Sequence, residues 1–573
     1  MVTLALFTLL GMVGLVVDLG WSYYRKKAAQ AAADAAALAA VRKALVSGTG
    51  ATSIQCGGSV ACAPSPVPCP AAGNLASACL YAAQNGFTNS GRQTVTVQAS
   101  DRFTSPTVLG CSPVVRHPPT APCVDTYYWV TVRISERIPQ LFSAILGNRE
   151  GGVSARATAA VGPGLFGGQL RLLNRENDPW LLGKPGNNLI NGGGPTLRIP
   201  GGIVLSSAAS GDGDAGAAYL TGNSTVESPF TIIRSGGKVN TIGTARWVAA
   251  PTQTVDSGQF RDPFSDRGSQ PPILNRTLPL IPVPGGVLNS TVCPGGVCRS
   301  GVYYAYGVDP ACGSACGNTA TGEQLVVSGN LSFEDGAFGQ FIVFGGLKIG
   351  QSAVNFGPGQ YVFGGTKSPS TLTLDVDNKA LITGGNGTDA GRIFIFTDSN
   401  YPGLSTYVSQ IERRTWPGPS QSLTFAKTSI KTGNNSGSSI TLYGLNRTSP
   451  NLPSELLPFA PVLTWQDQRN SYVRYNSDGT VAQCPDLANP CLNTSYPGLS
   501  SDSPQMELWA TPYTNMKGVI YQPRGAWAIV QASGIIEAPI QLVTGAMKFQ
   551  GNGTLTMAGI NDPIVVYGAA LVE

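Results

Sequence analysis

The chain has 573 residues, only 12% of them charged, and its 37 Lys and Arg against 32 Asp and Glu give a formal net charge of +5. This sparse charge argues against a nucleic-acid binder, which needs a dense basic face. The 72 Gly and 42 Pro predict many turns and short strands, the 42% hydrophobic content excludes wholesale disorder, and a single His removes most metal and acid–base chemistry.

The amino-terminal segment predicts one long helix over residues 1–47. Residues 1–17 are apolar and uncharged, long enough to cross a bilayer with help from their flanks or to pack against copies of the chain. Ten alanines between residues 28 and 40 continue the helix well beyond the length that a membrane requires. The segment is therefore either a membrane anchor with an alanine stalk or a pilin-like assembly helix.

Several residues of this helix are candidates for assembly contacts. Gly11 and Gly14 offer a smooth surface for close helix packing. Burying the carboxylate of Asp18 without a partner would be costly. We expect its partner to be a basic residue of a neighbouring subunit. The basic candidates are Arg25, Lys26 and Lys27. For a membrane anchor, the positive-inside rule would place the rest of the chain in the cytoplasm.

The order of these elements resembles a known family. Gly14-Leu-Val-Val-Asp-Leu-Gly20, the basic cluster and Ala31-Ala-Ala-Asp-Ala-Ala-Ala-Leu-Ala39 are similar to the amino-terminal signature of TadE/TadG-like proteins of tight-adherence (Flp-type) pilus systems in bacteria. The resemblance implies that the region after the helix is exported. The leader expected upstream is absent from the sequence, so we interpret Met1 as an internal start or a processed end.

Residues 48–162 predict a small α+β module. Residues 75–85 indicate a short helix that ends at Gly86, and residues 94–98, 127–133 and 153–161 alternate as half-buried strands do. Ile138-Pro-Gln-Leu-Phe142 and residues 153–159 resemble the first exported module of the same family. We therefore expect a small sheet packed on the end of the long helix.

Residues 163–573 predict a mainly-β region, with a right-handed β-helix or solenoid favoured over a sandwich. Short apolar runs recur every 6 to 12 residues or so between residues 341 and 396, and the linkers are too short for long crossovers. Gly-Asn-Gly-Thr at residues 385–388 and 551–554 suits tight corners. Residues 356–365 and 518–523 are similar to glycine-rich β repeats that follow the TadE/TadG-like region in some envelope proteins. Residues 264–320 and 447–515 are expected to be inserted loops or flaps.

The twelve cysteines fall in local clusters, which favours short-range disulfides and an oxidising compartment. A zinc site at residues 293–316 is less favoured because the spacing lacks the tight two-residue knuckles. The pairing within each cluster cannot be deduced from the sequence. The candidates are Cys56, Cys62, Cys69, Cys79, Cys111, Cys123, Cys293, Cys298, Cys312, Cys316, Cys484 and Cys491.

Candidate catalytic or metal-binding groups are few. Asp375 with Asp377, and Asp212 with Asp214, are paired carboxylates of the kind that polysaccharide lyases and hydrolases use, but solvated turns or a weak calcium site explain them better. His117 lies in a Pro-rich loop without a nearby nucleophile motif. We therefore expect no catalytic residue, no cofactor and no metal.

These features predict a non-enzymatic bacterial surface protein. We expect a pilin-like subunit or minor component that assembles through its helix with copies of itself or other pilin-like subunits. It would pass through the inner membrane before assembly and would display the solenoid for adhesion to a surface or carbohydrate ligand. The expected location is the cell surface, an extracellular filament or an anchored position in the envelope. The alternative is a membrane-anchored β-helix enzyme acting on carbohydrates.

Overall fold

The computed structural model divides the chain into two compact units. Unit 1 comprises residues 1–165, 263–268 and 565–573, and unit 2 comprises residues 166–262 and 269–564. The structure describes residues 2–47, 56–57, 60–101, 128–140, 142–163, 169–173, 189–249, 252–255, 264, 271–308, 318–320, 322–364, 373–376, 380–385, 387–397, 403–411, 428–431, 439–466, 506–509, 514–532, 535–559 and 567–571. For some of these residues only the backbone is described, among them 2–13, 15, 45–47, 252–255, 428–431, 506–509 and 567–571.

Unit 1 consists of two helices and an antiparallel sheet. The helices are α1 (Val2–Ser47) and α2 (Leu75–Gln84). The strands are β1 (Ala63–Pro68), β2 (Gln93–Ser100), β3 (Tyr128–Pro139), β4 (Glu150–Pro163) and β37 (Tyr567–Leu571), and they pair in the order β1-β2-β3-β4-β37. The predicted long helix, short helix and three strands are confirmed, and Gly86 has the expected positive φ, 84°.

The last strand of the chain belongs to this sheet. Residues 567–571 were expected at the end of the solenoid, whereas β37 pairs antiparallel with β4, from Tyr567 opposite Pro163 to Leu571 opposite Ala159. A free edge of β4 would leave its backbone groups unpaired, and β37 satisfies them. Unit 2 is therefore inserted in the chain between two neighbouring strands of unit 1.

Unit 2 is built of short strands stacked in parallel, the arrangement of a β-solenoid. The first group of strands is β5 (Leu170–Leu172), β6 (Leu189–Gly193), β7 (Thr196–Arg198), β8 (Ile203–Leu205), β9 (Ala218–Leu220), β10 (Thr225–Ser228), β11 (Thr231–Arg234), β12 (Val239–Thr241), β13 (Arg246–Ala249) and β14 (Thr252–Val255). The second group begins with β15 (Leu280–Pro284), β16 (Val287–Leu288), β17 (Val297–Cys298), β18 (Gly301–Val308), β19 (Asn318–Ala320), β20 (Leu325–Val327), β21 (Leu331–Phe333), β22 (Gly339–Phe344), β23 (Leu347–Ile349), β24 (Ala353–Phe356) and β25 (Gly359–Gly364).

The second group continues to the end of the unit. Its remaining strands are β26 (Leu374–Val376), β27 (Leu381–Gly384), β28 (Arg392–Thr397), β29 (Thr428–Lys431), β30 (Ser439–Tyr443), β31 (Val462–Gln466), β32 (Met506–Trp509), β33 (Thr514–Ala532), β34 (Ile535–Ala538), β35 (Ile540–Gly551) and β36 (Thr554–Met557). A short helix, α3 (Ser405–Gln410), follows β28. Each coil places three strands on three stacks, and only the short β19 pairs antiparallel among the described strands of unit 2. The mainly-β fold is confirmed. That the solenoid is right-handed stays a prediction.

The order of the coils differs from the order of the chain. β35 pairs with β33 on one side and with β5 and β6 on the other, so the first and last coils are neighbours inside the stack. From this position the first group runs to one end of the solenoid, at β11–β14. The second group begins at the other end, at β15, and returns coil by coil. The solenoid therefore has two arms that meet where the chain enters and leaves.

Aromatic side chains stack inside the solenoid. Phe341, Tyr361 and Phe394 occupy equivalent positions on β22, β25 and β28. Their ring centroids are 5.0 Å and 5.1 Å apart, and the rings are nearly parallel. Parallel strands lie about 4.8 Å apart, so the coil repeat sets the stacking distance. At the corners, Gly385 and Gly387 both have φ of 83°, as the repeated Gly-Asn-Gly-Thr motif predicts.

A covering layer lies on the outside of the stack that contains β22, β25 and β28. These strands are buried along their whole length, so their outward side chains are also shielded. Gln340 donates to the carbonyl of Leu274, and Gln360 accepts from the amide of Leu274. The hydroxyl of Tyr407 on α3 donates to the carbonyl of Arg276. Residues 271–276 thus lie against this stack, and α3 is hydrogen-bonded to them.

The two predicted insertions are partly wrong. Within residues 264–320, strands β15 to β18 form coils, and within residues 447–515, β31 and β32 do. Pro282 and Pro284 lie on the outermost strand, β15, where their missing N–H groups break no ladder bond. Trp465 lies on β31, is only 1% exposed, and packs 4.2 Å from the ring of Tyr521.

Three disulfides lie in the described residues, each within one predicted cluster. They are Cys56–Cys62 and Cys69–Cys79 in unit 1 and Cys293–Cys298 in unit 2. The remaining candidates, Cys111, Cys123, Cys312, Cys316, Cys484 and Cys491, lie outside the described residues. The prediction of short-range disulfides is confirmed for the six described cysteines.

We expect no thiol labelling at these six cysteines when the protein is denatured without reductant. The double variant Cys69→Ser/Cys79→Ser opens a link of sequence separation 10. In the chain-entropy model, this opening destabilises unit 1 by about 3 kcal/mol. Peptide mass spectrometry after alkylation checks the first result, and denaturant unfolding checks the second. Labelled Cys69 or Cys79 in the wild-type protein would contradict the assignment.

Tyr361 provides a test of the stacked core. Its hydroxyl donates to the carbonyl of Gly357 at 2.7 Å, and burial, the largest cause, raises its pKa well above the ordinary value. Tyr361→Phe should therefore cost about 1 kcal/mol for the lost hydrogen bonding. Tyr361→Ala should cost about 3 to 5 kcal/mol because it leaves a cavity between two rings. Denaturant unfolding measures both, and equal losses would show that stacking contributes little.

Candidate assembly surface on the amino-terminal helix

The carboxyl-terminal half of α1 is packed against its own unit. One face of alanines, with Val41, is fully buried against β3, β4 and α2. Because alanine side chains are small, the helix axis can approach the sheet and α2 closely. The buried residues are Ala29, Ala32, Ala33, Ala36, Ala37, Ala40, Val41 and Ala44. Much of the alanine surface expected to contact other subunits is therefore occupied within the chain.

Asp18 and Gly14 contact the segment that follows β3. The carboxylate of Asp18 is 5% exposed and accepts from the backbone N–H groups of Phe142, at 3.0 Å, and Ser143, at 2.7 Å. Ser143 begins a 3-10 helix, Ser143–Leu146, whose first N–H groups need acceptors. A Cβ on Gly14 would overlap the ring of Phe142. Asp18 thus has partners in its own chain, and the premise that it needs a neighbouring subunit is wrong.

Arg25 is also paired within the chain. Its Nε and Nη2 donate to the two oxygens of Glu136 on β3, at 2.8 Å and 2.7 Å. Its guanidinium lies 4.7 Å from the ring centroid of Phe87, and Gln93 donates to Glu136 at 2.9 Å. One helical turn closer to the amino terminus, Ser22 accepts from Gln140. These contacts fix residues 14–25 of the helix to residues 136–143 along one face.

The electrostatics of Glu136 follow from these partners. Partial burial, the largest single cause, acts to raise its pKa. The hydrogen bonds from Arg25 and Gln93 and the positive charge of Arg25 outweigh the burial, so the pKa of Glu136 lies below the ordinary value. The ionised form is therefore the one that stabilises the folded state.

Apolar side chains are exposed around the rest of the circumference of this helical segment. We name this surface the aromatic face, and its members are Val16, Val17, Leu19, Trp21, Tyr23 and Tyr24, which are between 46% and 68% exposed. Trp21 stacks on Tyr24 with ring centroids 5.6 Å apart, and Lys27 lies 5.7 Å from the ring centroid of Tyr23. Contiguous exposed apolar surface of this kind marks an interaction site.

The remaining predicted assembly residues have different surroundings. Lys26 and Lys27 are exposed beside the aromatic face. Gly11 lies in α1, in the part whose side chains are outside the description. Among the described residues, no helix combines the length and apolar character needed to cross a membrane. The structure thus groups the predicted residues in two sets, with Gly14, Asp18 and Arg25 facing their own module and the lysines facing outward.

Sequence reasoning missed the partners of the helix. Glu136, Gln140 and Phe142 lie 111 to 124 positions from the helical residues they contact. The one signal was the resemblance of residues 138–142 to the exported module of TadE/TadG-like proteins. That segment does contact the helix.

Of the carboxylates considered for catalysis, Asp212 and Asp375 each lie beside a lysine, and the side chain of Asp214 is not described. Asp212 is paired with Lys238, which lowers the pKa of Asp212 through their hydrogen bond and the lysine charge. Asp375 lies 3.8 Å from Lys348 on the neighbouring coil. His117 and Asp377 lie outside the described residues. Within the described part of the chain, no group of three or more His, Cys, Asp or Glu side chains could hold a metal ion.

The Arg25–Glu136 pair predicts a pH-dependent attachment of the helix. Because the pKa of Glu136 is lowered, its stabilisation is present above the unfolded value, near 4.5, and is lost as pH falls through the lower folded value. Hydrogen exchange of residues 18–28, corrected for intrinsic rates, should show protection that decreases below that pH. Glu136→Gln should weaken protection at pH 7 and remove this contribution to the pH dependence. The same profile in the variant and the wild type would contradict the assignment.

Comparisons with known proteins identify the amino-terminal helix. Residues 1–43 match the Tad family model, described as Flp pilus-assembly TadE/G-like. No curated protein and no solved structure matches the chain. The match supports a pilus-related protein with an envelope or surface location. It covers most of α1, including the aromatic face and the residues that fix it to the module. The recognised similarity of this chain is therefore to the TadE/G-like pilus-assembly family, through its first 43 residues.

Proposed function

We propose that the protein is a non-enzymatic, pilin-like component of a bacterial surface structure and that it assembles through α1. The observation that carries this proposal is the aromatic face, which lies in the segment matched by the pilus-assembly family model. In a single chain, these six side chains remain exposed while Asp18 and Arg25 fix the helix to its own module. A helix held rigidly on one side presents the other in a defined orientation.

Burial of this face would make assembly favourable. Burying a large apolar side chain contributes about 1.5 to 3 kcal/mol, so a few such residues outweigh much of the entropic cost of association. The partners proposed are copies of the chain or other pilin-like subunits. The inner membrane would hold the helix before assembly, with the chain then at the cell surface, in a filament or anchored in the envelope. The solenoid would serve adhesion to a surface or carbohydrate ligand.

A paired set of variants tests the role of the aromatic face. Trp21→Ser/Tyr24→Ser removes two exposed rings from α1. The protein should then be lost from filaments sheared off the cell surface, because the interface loses about 1.5 to 3 kcal/mol for each large side chain. The control is Leu80→Ser/Tyr81→Ser, which changes two exposed apolar residues on α2 of the same unit. Immunogold electron microscopy of the sheared material measures both.

Two outcomes would overturn the proposal. If the wild-type protein stays with the membrane fraction and no filament contains it, α1 is only an anchor. If the full chain releases oligosaccharides from a panel of acidic polysaccharides, the non-enzymatic part fails and a membrane-anchored carbohydrate-active enzyme becomes the better description.

A further inference from the structure

The two ends of the solenoid differ in their capacity to add another strand. At one end, β15 is the outermost strand, and the amide of Gly285 donates to the carbonyl of Tyr306 on β18. Successive residues of a parallel strand direct their backbone groups to opposite neighbours. Gly285 and Val283 therefore face β18, while Pro282 and Pro284 face outward. Proline has no N–H, so β15 offers few donors to an added strand.

The same end is also covered. Cys293 and Cys298 form a disulfide after β16, and both are at most 1% exposed. They join Val283 and Leu288 in the apolar core of the terminal coil. We name this the closed end.

The opposite end is formed by β12, β13 and β14. The amide of Ile242 donates to the carbonyl of Leu220, and the amide of Arg246 donates to the carbonyl of Ser224. By the same alternation, the backbone groups of Val239, Thr241 and Trp247 face away from the stack. No described strand pairs with β12 or β13 on that side, and neither strand contains proline. We name this the open end.

The open end also exposes apolar surface. Val239, Ala245 and Trp247 pack against the solenoid core and are only partly buried. Ile242 is 49% exposed, and Val248 is 56% exposed. The indole N–H of Trp247 is buried and has no acceptor within the described residues. Unpaired strand edges combined with exposed apolar residues are surfaces that proteins cover by association.

We propose that the open end is an interface with a second copy of this chain, joined open end to open end about a two-fold axis. A head-to-tail contact is disfavoured because β15 has proline at two of its outward positions and because Val283, Leu288, Cys293 and Cys298 of the closed end are already buried. Two open ends each supply donors, acceptors and apolar side chains, so one contact satisfies both, and the strands meet antiparallel. The contact is isologous and closes at a dimer. It uses no residue of α1 and is independent of assembly through the aromatic face.

Thr241→Pro tests the edge directly. It removes one outward N–H and leaves the amide of Ile242 free to bond Leu220. Thr241→Ser keeps that N–H and is the matched control. The full chain is studied in detergent that covers α1, by sedimentation velocity over a range of protein concentrations. The wild type and Thr241→Ser should dimerise, and Thr241→Pro should weaken the association constant by about tenfold or more.

Ile242→Asp provides a second test, which changes an exposed side chain and leaves the backbone N–H groups in place. Its exposed side chain tolerates the change in the monomer, whereas a carboxylate from each copy, buried in the apolar interface, would weaken the dimer. The control is Val326→Asp, an exposed apolar position, 41% exposed, on a coil of the other arm. We expect dimer loss for Ile242→Asp alone.

Two results would overturn the inference. The first is a wild type that stays monomeric at about 100 µM, where an interface of micromolar affinity is saturated. The second is dimerisation of both Thr241→Pro and Ile242→Asp equal to that of the wild type. Trp21→Ser/Tyr24→Ser should leave this dimer intact, so failure here is distinguishable from failure of assembly through α1.

Discussion

The pairing of β37 with β4 constrains the whole chain. Because these strands are neighbours, the intervening segment of about four hundred residues must leave unit 1 and return to it at adjacent positions. A solenoid that ran in one direction from its first coil to its last would separate its two ends by its full length. In the structure, the first and last coils lie side by side, because β5 and β6 pair with β35. The two arms, and the two different ends, follow from this closure.

The two halves of the long helix α1 are held by different kinds of contact. Its alanine-rich half is held by close apolar packing, which requires small side chains and no charged partner. Its aromatic segment is held by polar contacts on one side only, through Asp18 and Arg25. Directional hydrogen bonds fix the orientation of this segment without covering its other side. The exposed rings of Trp21, Tyr23 and Tyr24 are the consequence.

Local patterns in the sequence were sufficient for much of the fold. The alanine run predicts α1, the alternation of residues 94–98 predicts β2, and the Gly-Asn-Gly-Thr repeat predicts corners with positive φ. Contacts between distant residues were not predictable in this way. Nothing near Asp18 indicates that its acceptor role is fulfilled 124 positions away, and nothing near Tyr567 indicates that it pairs with Pro163. The coils within residues 264–320 were also missed, and Pro282 and Pro284 fit a strand there because β15 is paired on one side only.

The two-armed solenoid has a consequence for how such a chain can change in length. The register between β5 and β35 is fixed at the point where both arms begin, whereas every other coil contacts only its neighbours. Insertion or deletion of one complete coil in either arm would therefore lengthen or shorten that arm by about 4.8 Å and leave the pairing of β5 with β35 unchanged. Duplication of coils can therefore change the length of this architecture, and residues 256–279, which join the far ends of the two arms, set how much length can be added.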